Sequence, residues 1–479
     1  MTDTITPENY EEKRRELVET NANLLGVVLR EREEKADKLL SALKAEYRES
    51  CGGSIPYDMP VLTDKRLTGS RLYRFLSRMP KGADLHVHDM SELPMHELIE
   101  LLKERDDYYI NADRKSYDLR VVRPGESVPE GYLFFRDAME SGYYTEEELL
   151  PEWTVLGAAK KGVGVWDYFE ELFEKHAALS DYPPFAEAYY DRAFRYYCEH
   201  GIFHLEIHLL LINEIDVCSD YIKSLRQTYY NVKKDYPYFS VKIIGAGLKC
   251  DAENLEATKK CYLNTLYAQD TIKDDFDPEH VSDFIIGFDL INEEDTNLPL
   301  HTFAPMLLKA KKRYPQMRFF IHGGESIEAE NDNLIDAYLL GVSRVGHGLN
   351  LYRYPDLLER YAKSEICLEV CVISNQTLGY AKDVRNHPGA EFLRRGVSIA
   401  LCSDDPTYME HEILTDDFFA ATVGWNLNIA DLKQLGINSI LYSGLDEYEK
   451  RKLLRAYREK WNAFIDEVLA ENEENGEKR

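Results

Sequence analysis

From Met79 onward, short apolar runs alternate with amphipathic segments. Eight runs read as strands: "ADLHVHD", "IFHLEIHLLL", "FSVKIIGAG", "FIIGFDLIN", "MRFFIHGGE", "SRVGHG", "ICLEVCVISN" and "VSIALCSDD". Helix-sized stretches such as "FAPMLLKAKKRY" and "NLIDAYLLG" separate them. Strands alternating with helices predict a parallel sheet in an α/β fold. Eight such units predict a (β/α)8 TIM-type barrel, with its chemistry at the C-terminal strand ends. Polar residues gather at those ends: His86/His88, Glu206/His208, Asp289, His322/Glu325, His347, Asn375 and Asp404/Asp405.

The barrel pattern spans about 76–470 and leaves three segments over. Residues 7–49 contain one glycine, Gly26, and are rich in Glu, Lys, Arg, Leu and Ala, which predicts helix. Leu24, Leu25, Val27, Val28 and Leu29 form an apolar patch, and "CGGSIPYDMP" then breaks the pattern. An N-terminal helical extension over 1–75 follows. It either packs on its own domain or serves as the arm of a homodimer. Residues 104–135 fit neither period and read as a loop or hairpin insertion after the first strand, a lid or surface decoration. The end, 471–479, reads as a disordered tail.

Composition narrows the partners. The 479-residue chain carries 58 Lys+Arg against 86 Asp+Glu, a net charge of -28. Such a chain is repelled by a nucleic-acid polymer and by an anionic membrane surface. No apolar run reaches membrane-spanning length, and the first residues lack a secretory pattern, so the expected location is cytoplasmic. The eight cysteines read as reduced core thiols, several of them inside apolar runs (Cys367, Cys371, Cys402).

The chemistry begins at "LHVH". His86 and His88 are two apart on a strand and share a face. Alone, such a pair is more often structural than metal-binding. "IHGGES" adds His322 and Glu325, "VGHG" adds His347, and "SDDP" adds Asp404 and Asp405. Strand ends of one barrel converge on one cavity. Three imidazoles and one carboxylate there suit a zinc ion and leave a position for water. Ligation by Asp404 also lifts the cost of two adjacent, partly buried carboxylates.

These residues lie in "MPKGADLHVHD", "GFDLINEEDT", "IHGGE", "RVGHGL", "EVCVISNQTL", "RNHP" and "SDDP". With them the chain resembles the adenosine deaminase family of the amidohydrolase superfamily, and within it the adenosine deaminase growth factor branch. The resemblance runs from about Arg78 to Leu469. It implies one Zn²⁺ per chain on His86, His88, His322 and Asp404. It implies that Glu325 protonates purine N1, that His347 orients the attacking water and handles its proton, and that Asp405 hydrogen-bonds N7. The implied reaction is hydrolytic deamination of adenosine or 2′-deoxyadenosine, a small purine nucleoside, giving the inosine product and ammonia. Asp89 and Glu170 match ribose-contacting positions, and Trp166 and Phe169 either wall the pocket or pack as helix core. Asn292 stands where the family has a glycine whose amide contacts the base, and Glu293 where the branch often has a histidine near the sugar. Gly323 replaces an alanine and Val372 a proline. The 104–135 insertion holds no cysteine, so the branch's receptor-binding role is not carried over.

Two other readings stay open. An AMP or modified-adenine nucleoside deaminase shares these motifs but needs a basic cluster for phosphate, for which Lys81 and Lys249 are the candidates. An inactive nucleoside-binding scaffold would not need the intact Glu325/His347/Asp404/Asp405 set.

Overall fold

The computed structural model describes residues 6–7, 9–22, 27–53, 55, 57, 69–180, 182–250 and 254–477. Eight parallel strands carry the architecture: β1 (Gly82–His88), β2 (Ile202–Leu210), β3 (Ser240–Leu248), β4 (Ile285–Ile291), β5 (Phe320–Gly323), β6 (Arg344–His347), β7 (Cys367–Val370) and β8 (Ser398–Leu401). They pair in the order β1-β2-β3-β4 and β5-β6-β7-β8. Parallel bridges Phe288–Phe319 and Val87–Asp404 join the two halves. The second is double: Asp404 N–H donates to His86 O at 2.9 Å, and His88 N–H donates to Asp404 O at 3.1 Å. The sheet thereby closes as the predicted barrel, with helices outside. All eight expected strands are present. The run "ICLEVCVISN" differs in one respect: its strand stops at Val370 and Val372–Thr377 turn into a helix.

The helix Glu31–Ser50 buries Ala36, Leu40, Leu43 and Tyr47. Tyr47 meets Phe419 edge-on at 5.2 Å, and Glu33 takes the Lys433 ammonium at 2.5 Å and the Trp461 indole N–H at 3.0 Å. The apolar stripe of this helix finds its partner within its own chain. A separate helix, Tyr10–Ala22, precedes it. Of the expected apolar patch, Leu24 and Leu25 lie outside the described residues, and Val28 is exposed. Residues 104–135 fold as a three-stranded antiparallel sheet (Tyr108–Asn111, Leu119–Val121, Tyr132–Phe134), followed by helices that lead to β2.

The expectation of a disordered tail from 471 is corrected. The last helix runs Glu447–Glu477. Arg78 holds it at that point, donating to Glu471 at 2.7 Å and Glu467 at 3.1 Å. Glutamate and lysine are good helix formers, so an anchored helix propagates through this polar stretch. All eight cysteines are free, six of them buried. Among the described residues no helix is long and apolar enough to cross a membrane.

Candidate active site

β1 delivers His86 and His88, β5 His322, β6 His347, and the residues just past β8 deliver Asp404 and Asp405. The ligand nitrogens of His86, His88 and His322 lie within 4.8 Å of one another, as do the donor atoms of His86, His347 and Asp404. Asp404 Oδ1 is 3.3 Å from His88 Nε2 and 3.5 Å from His86 Nε2. The four expected metal ligands and His347 therefore gather around His86 at the strand ends. Gly346 makes this approach feasible: a Cβ there would sit 2.8 Å from His86 Cε1 and 3.2 Å from His322 Cα. At Gly323 an added Cβ meets only ordinary contacts, the nearest at 3.4 Å, so the alanine-to-glycine departure is a mild one.

Behind the imidazoles stand carboxylates that the motifs did not assign. Asp289, at the end of β4, takes His322 Nδ1 and His208 Nδ1, each at 2.7 Å, and the His322 backbone N–H at 2.9 Å. Burial alone would raise Asp289, but both histidines overcome it and hold it well below the usual carboxylate range. Glu369 takes His86 Nδ1 at 2.7 Å and the Arg344 guanidinium. Each bond fixes which nitrogen faces the cluster. His208 and Asp289 were visible as strand-end polar residues. Glu369 carried only the signal of a lone carboxylate inside an apolar strand.

These residues fit a metal. His86 Nε2 is sealed from solvent and makes no hydrogen bond. Three imidazole nitrogens and a carboxylate oxygen are ligand types that zinc takes. Burial holds His322 well below its usual value, so it is the neutral imidazole that a metal needs.

The proton-handling pair sits beside the cluster. His347 Nδ1 is 3.4 Å from Glu325 Oε1, and the Asn375 amide is 3.4 Å from each. The Asn375 oxygen in turn lies 3.1 Å from His387 Nε2. Burial first, then the Asp404 charge, pushes Glu325 well above the carboxylate range, so it is a neutral acid. Burial pulls His347 down to about 3, so it is a neutral base. Burial also lifts Asp405 to about 7, with the Ser91 hydroxyl donating to it at 2.6 Å. His347 (φ 64°), Asp404 (φ 66°) and Asn292 (φ 98°) all adopt left-handed backbone, a concentration of strain typical of functional strand ends.

The outer residues divide. Asp89 is fixed by Tyr190 and by the Tyr221 hydroxyl at 3.0 Å. The half-buried Trp166 donates to the Tyr380 hydroxyl at 2.7 Å, and Phe169 packs toward Tyr408 at 6.2 Å. Glu170 is exposed on the same helix. Glu293 is half-buried and receives Thr296 Oγ1 at 2.5 Å. Asn292 folds back on the main chain: its amide donates to Lys249 O at 3.2 Å, and its oxygen accepts the Glu293 N–H at 2.9 Å. Its positive φ explains why glycine suits this position. Asn292→Ala should therefore lower stability by about 1–2 kcal/mol, through backbone strain and two lost hydrogen bonds. Asn292→Gly should stay within about 1 kcal/mol of the parent. Thermal unfolding of both variants checks this, and equal melting points would remove the argument.

Neither candidate phosphate lysine is free. Lys249 is buried, bonded to Glu294 at 2.6 Å and to His322 O at 2.8 Å. Lys81 donates to Ser77, Met79 and His200 carbonyls at the opposite, N-terminal rim.

A closed parallel barrel with a histidine–aspartate cluster at its strand ends is the architecture of the amidohydrolase class. The adenosine deaminase family model matches residues 264–460. An adenosine deaminase from Phlebotomus duboscqi is 30% identical over 85% of this chain and 80% of its own. Adenosine deaminase 2 from Dictyostelium discoideum is 29% identical over 84% of this chain and 76% of its own. In fold, adenine deaminase from Arthrobacter aurescens superposes with a TM-score of 0.55 at 22% identity, covering 79% of this chain and 98% of that one. The chain belongs to the adenosine deaminase family, and is a hydrolase acting on C–N bonds of the adenine type.

Proposed function

We propose that this protein hydrolytically deaminates adenosine or 2′-deoxyadenosine to the inosine product and ammonia, with one Zn²⁺ held by His86, His88, His322 and Asp404. The observation that carries the reading is the Glu325 carboxyl 3.4 Å from His347 Nδ1, beside the four-ligand cluster, with burial raising the acid and lowering the histidine. When bound, zinc acts as a Lewis acid and lowers the pKa of water to about 7, which supplies a nucleophile at neutral pH. Glu325 gives its proton to purine N1 as water adds at C6 and the ring loses aromaticity. His347 accepts a proton from the attacking water. His347 then passes that proton to the amino group, the C6–N bond breaks to release ammonia, and the C6 hydroxyl proton returns to Glu325, leaving the 6-oxopurine. Asp405, titrating near 7, can hold a proton and give N7 a donor. Asp89, fixed by two tyrosines, suits a ribose hydroxyl, and Trp166 with Tyr380 suits a wall of the base pocket. Both phosphate candidates are occupied, which favours a nucleoside over a nucleotide.

A panel of adenosine, 2′-deoxyadenosine, AMP and adenine, followed by absorbance loss and ammonia release, tests the assignment. The nucleosides should exceed AMP and free base in kcat/KM by about 100-fold or more, and chelation should abolish turnover until Zn²⁺ is restored. AMP as the best substrate would overturn the substrate assignment, and no turnover with a full metal complement would overturn the activity.

A further inference from the structure

At the opposite, N-terminal end of the barrel lies a second cavity of about 290 Å³. It is bounded by the start of β3, the hairpin Lys273–Asp277/His280–Asp283 and the beginning of the last helix. Tyr238, Phe276, Tyr448 and His280 supply aromatic walls. Tyr238 and Tyr448 remain about half exposed, and His280 lies over Tyr448 at 4.5 Å. Lys233 and Lys452 line the same space. Lys233 bonds only neutral acceptors, the Tyr229 hydroxyl at 2.6 Å and Phe239 O at 3.0 Å. Among the described residues the exposed Lys452 side chain makes no hydrogen bond or ion pair. The wall carboxylates are partly compensated. Buried Lys242 holds Asp274 at 3.1 Å and Glu449 at 2.9 Å, and Asp277 accepts the Glu279 N–H at 3.1 Å. Two lysines that make no direct ion pair, beside flat rings, offer donors to a small aromatic anion. Burial holds Lys233 near 8; the Asp274 and Glu449 charges raise it and Lys242 and Lys452 lower it, so an incoming anion would add to a partial compensation already there.

A hydrogen-bonded chain links this cavity to the catalytic end. A fully buried polar chain runs along the barrel axis. It starts at His86 Nδ1, 2.7 Å from Glu369, and passes through Arg344 to Glu206 at 2.5 Å. It continues from Glu206 to His204 Nε2 at 2.9 Å, and from His204 Nδ1 to Ser240 Oγ at 2.8 Å. Ser240 lines the cavity. Every link is at most 8% exposed, and charges so deep have no water to screen them.

We propose that this cavity is an effector site for a small aromatic carboxylate or phosphate, and that its occupancy is felt at the metal cluster through the Ser240–His204–Glu206–Arg344–Glu369–His86 chain. The coupling half rests on the activity proposed above, and the binding half does not. Phenyl phosphate, benzoate, inorganic phosphate and uncharged benzyl alcohol, titrated calorimetrically into the full metal-loaded chain, separate the two. Phenyl phosphate or benzoate should bind saturably at one site per chain, benzyl alcohol should not, and inorganic phosphate should be weaker for want of a ring. Lys452→Glu, at an exposed position, should weaken binding at least about tenfold while leaving basal turnover unchanged. Saturation should change kcat/KM for the nucleoside at least about twofold. In His204→Gln, or in Ser240→Ala should that variant fold better, the anion should still bind but turnover should no longer respond. Absent binding, or binding indifferent to Lys452→Glu, overturns the site. Binding without any change in turnover overturns the coupling and leaves the site standing.

Discussion

Glu325→Gln should lose turnover by about 10³-fold, within the range that a positioned general acid contributes. The amide keeps the shape and can still donate a hydrogen bond to N1, but it cannot transfer a proton. Ground-state affinity for an unreactive purine nucleoside should therefore hold within about threefold while kcat collapses. The same substitution should raise the melting temperature at pH 7. Glu325 is held well above its unfolded value by burial. Above the unfolded pKa, the folded state thus binds more protons than the unfolded one, and stability falls as pH rises. Glutamine removes that liability, a trade of stability for chemistry common at catalytic residues. Stopped assays, analogue binding and thermal melts from pH 4 to 8 read all three. Turnover within tenfold of the parent would show that the proton on N1 comes from elsewhere.

Asp289→Ala should strip the metal. This carboxylate orients His322 and His208 together and also takes the His322 backbone N–H. Without it both imidazoles lose the partner that fixes their ring orientation, and buried nitrogens are left unpaired at about 1–3 kcal/mol each. Loss of such an outer partner typically costs 10–100-fold in metal affinity. Metal content after dialysis against a weak chelator should fall well below one ion per chain, with activity falling in parallel and recovering in excess Zn²⁺. Full metal retention would mean that the imidazoles are held by packing alone.

The strand pattern was legible because each barrel strand is covered on both faces and so reads as an apolar run. The histidines and Asp404 were legible because "LHVH", "IHGGE", "VGHG" and "SDDP" put them where strands end. What the sequence withheld is pairing across the barrel. Asp289 and Glu369 are single carboxylates in unrelated strands, and only closure of the sheet shows which histidine each one serves. The Asn292 departure looked like an intrusion beside the base. The structure turns it into a side chain bonded to its own backbone, because a residue at φ 98° points its amide back at Lys249 and Glu293. The tail was misjudged for a similar reason: composition describes a free segment, and Arg78, nearly four hundred positions earlier, had already tethered it.

The double bridge between Val87 and Asp404 has a consequence for biosynthesis. The site is assembled from the first and last staves of the barrel, so no amino-terminal portion of the nascent chain can form the proposed metal site. Emergence of the segment around Asp404 from the ribosome is the moment at which catalysis becomes conceivable. Until then an incomplete, open-edged sheet must be kept from pairing with its neighbours.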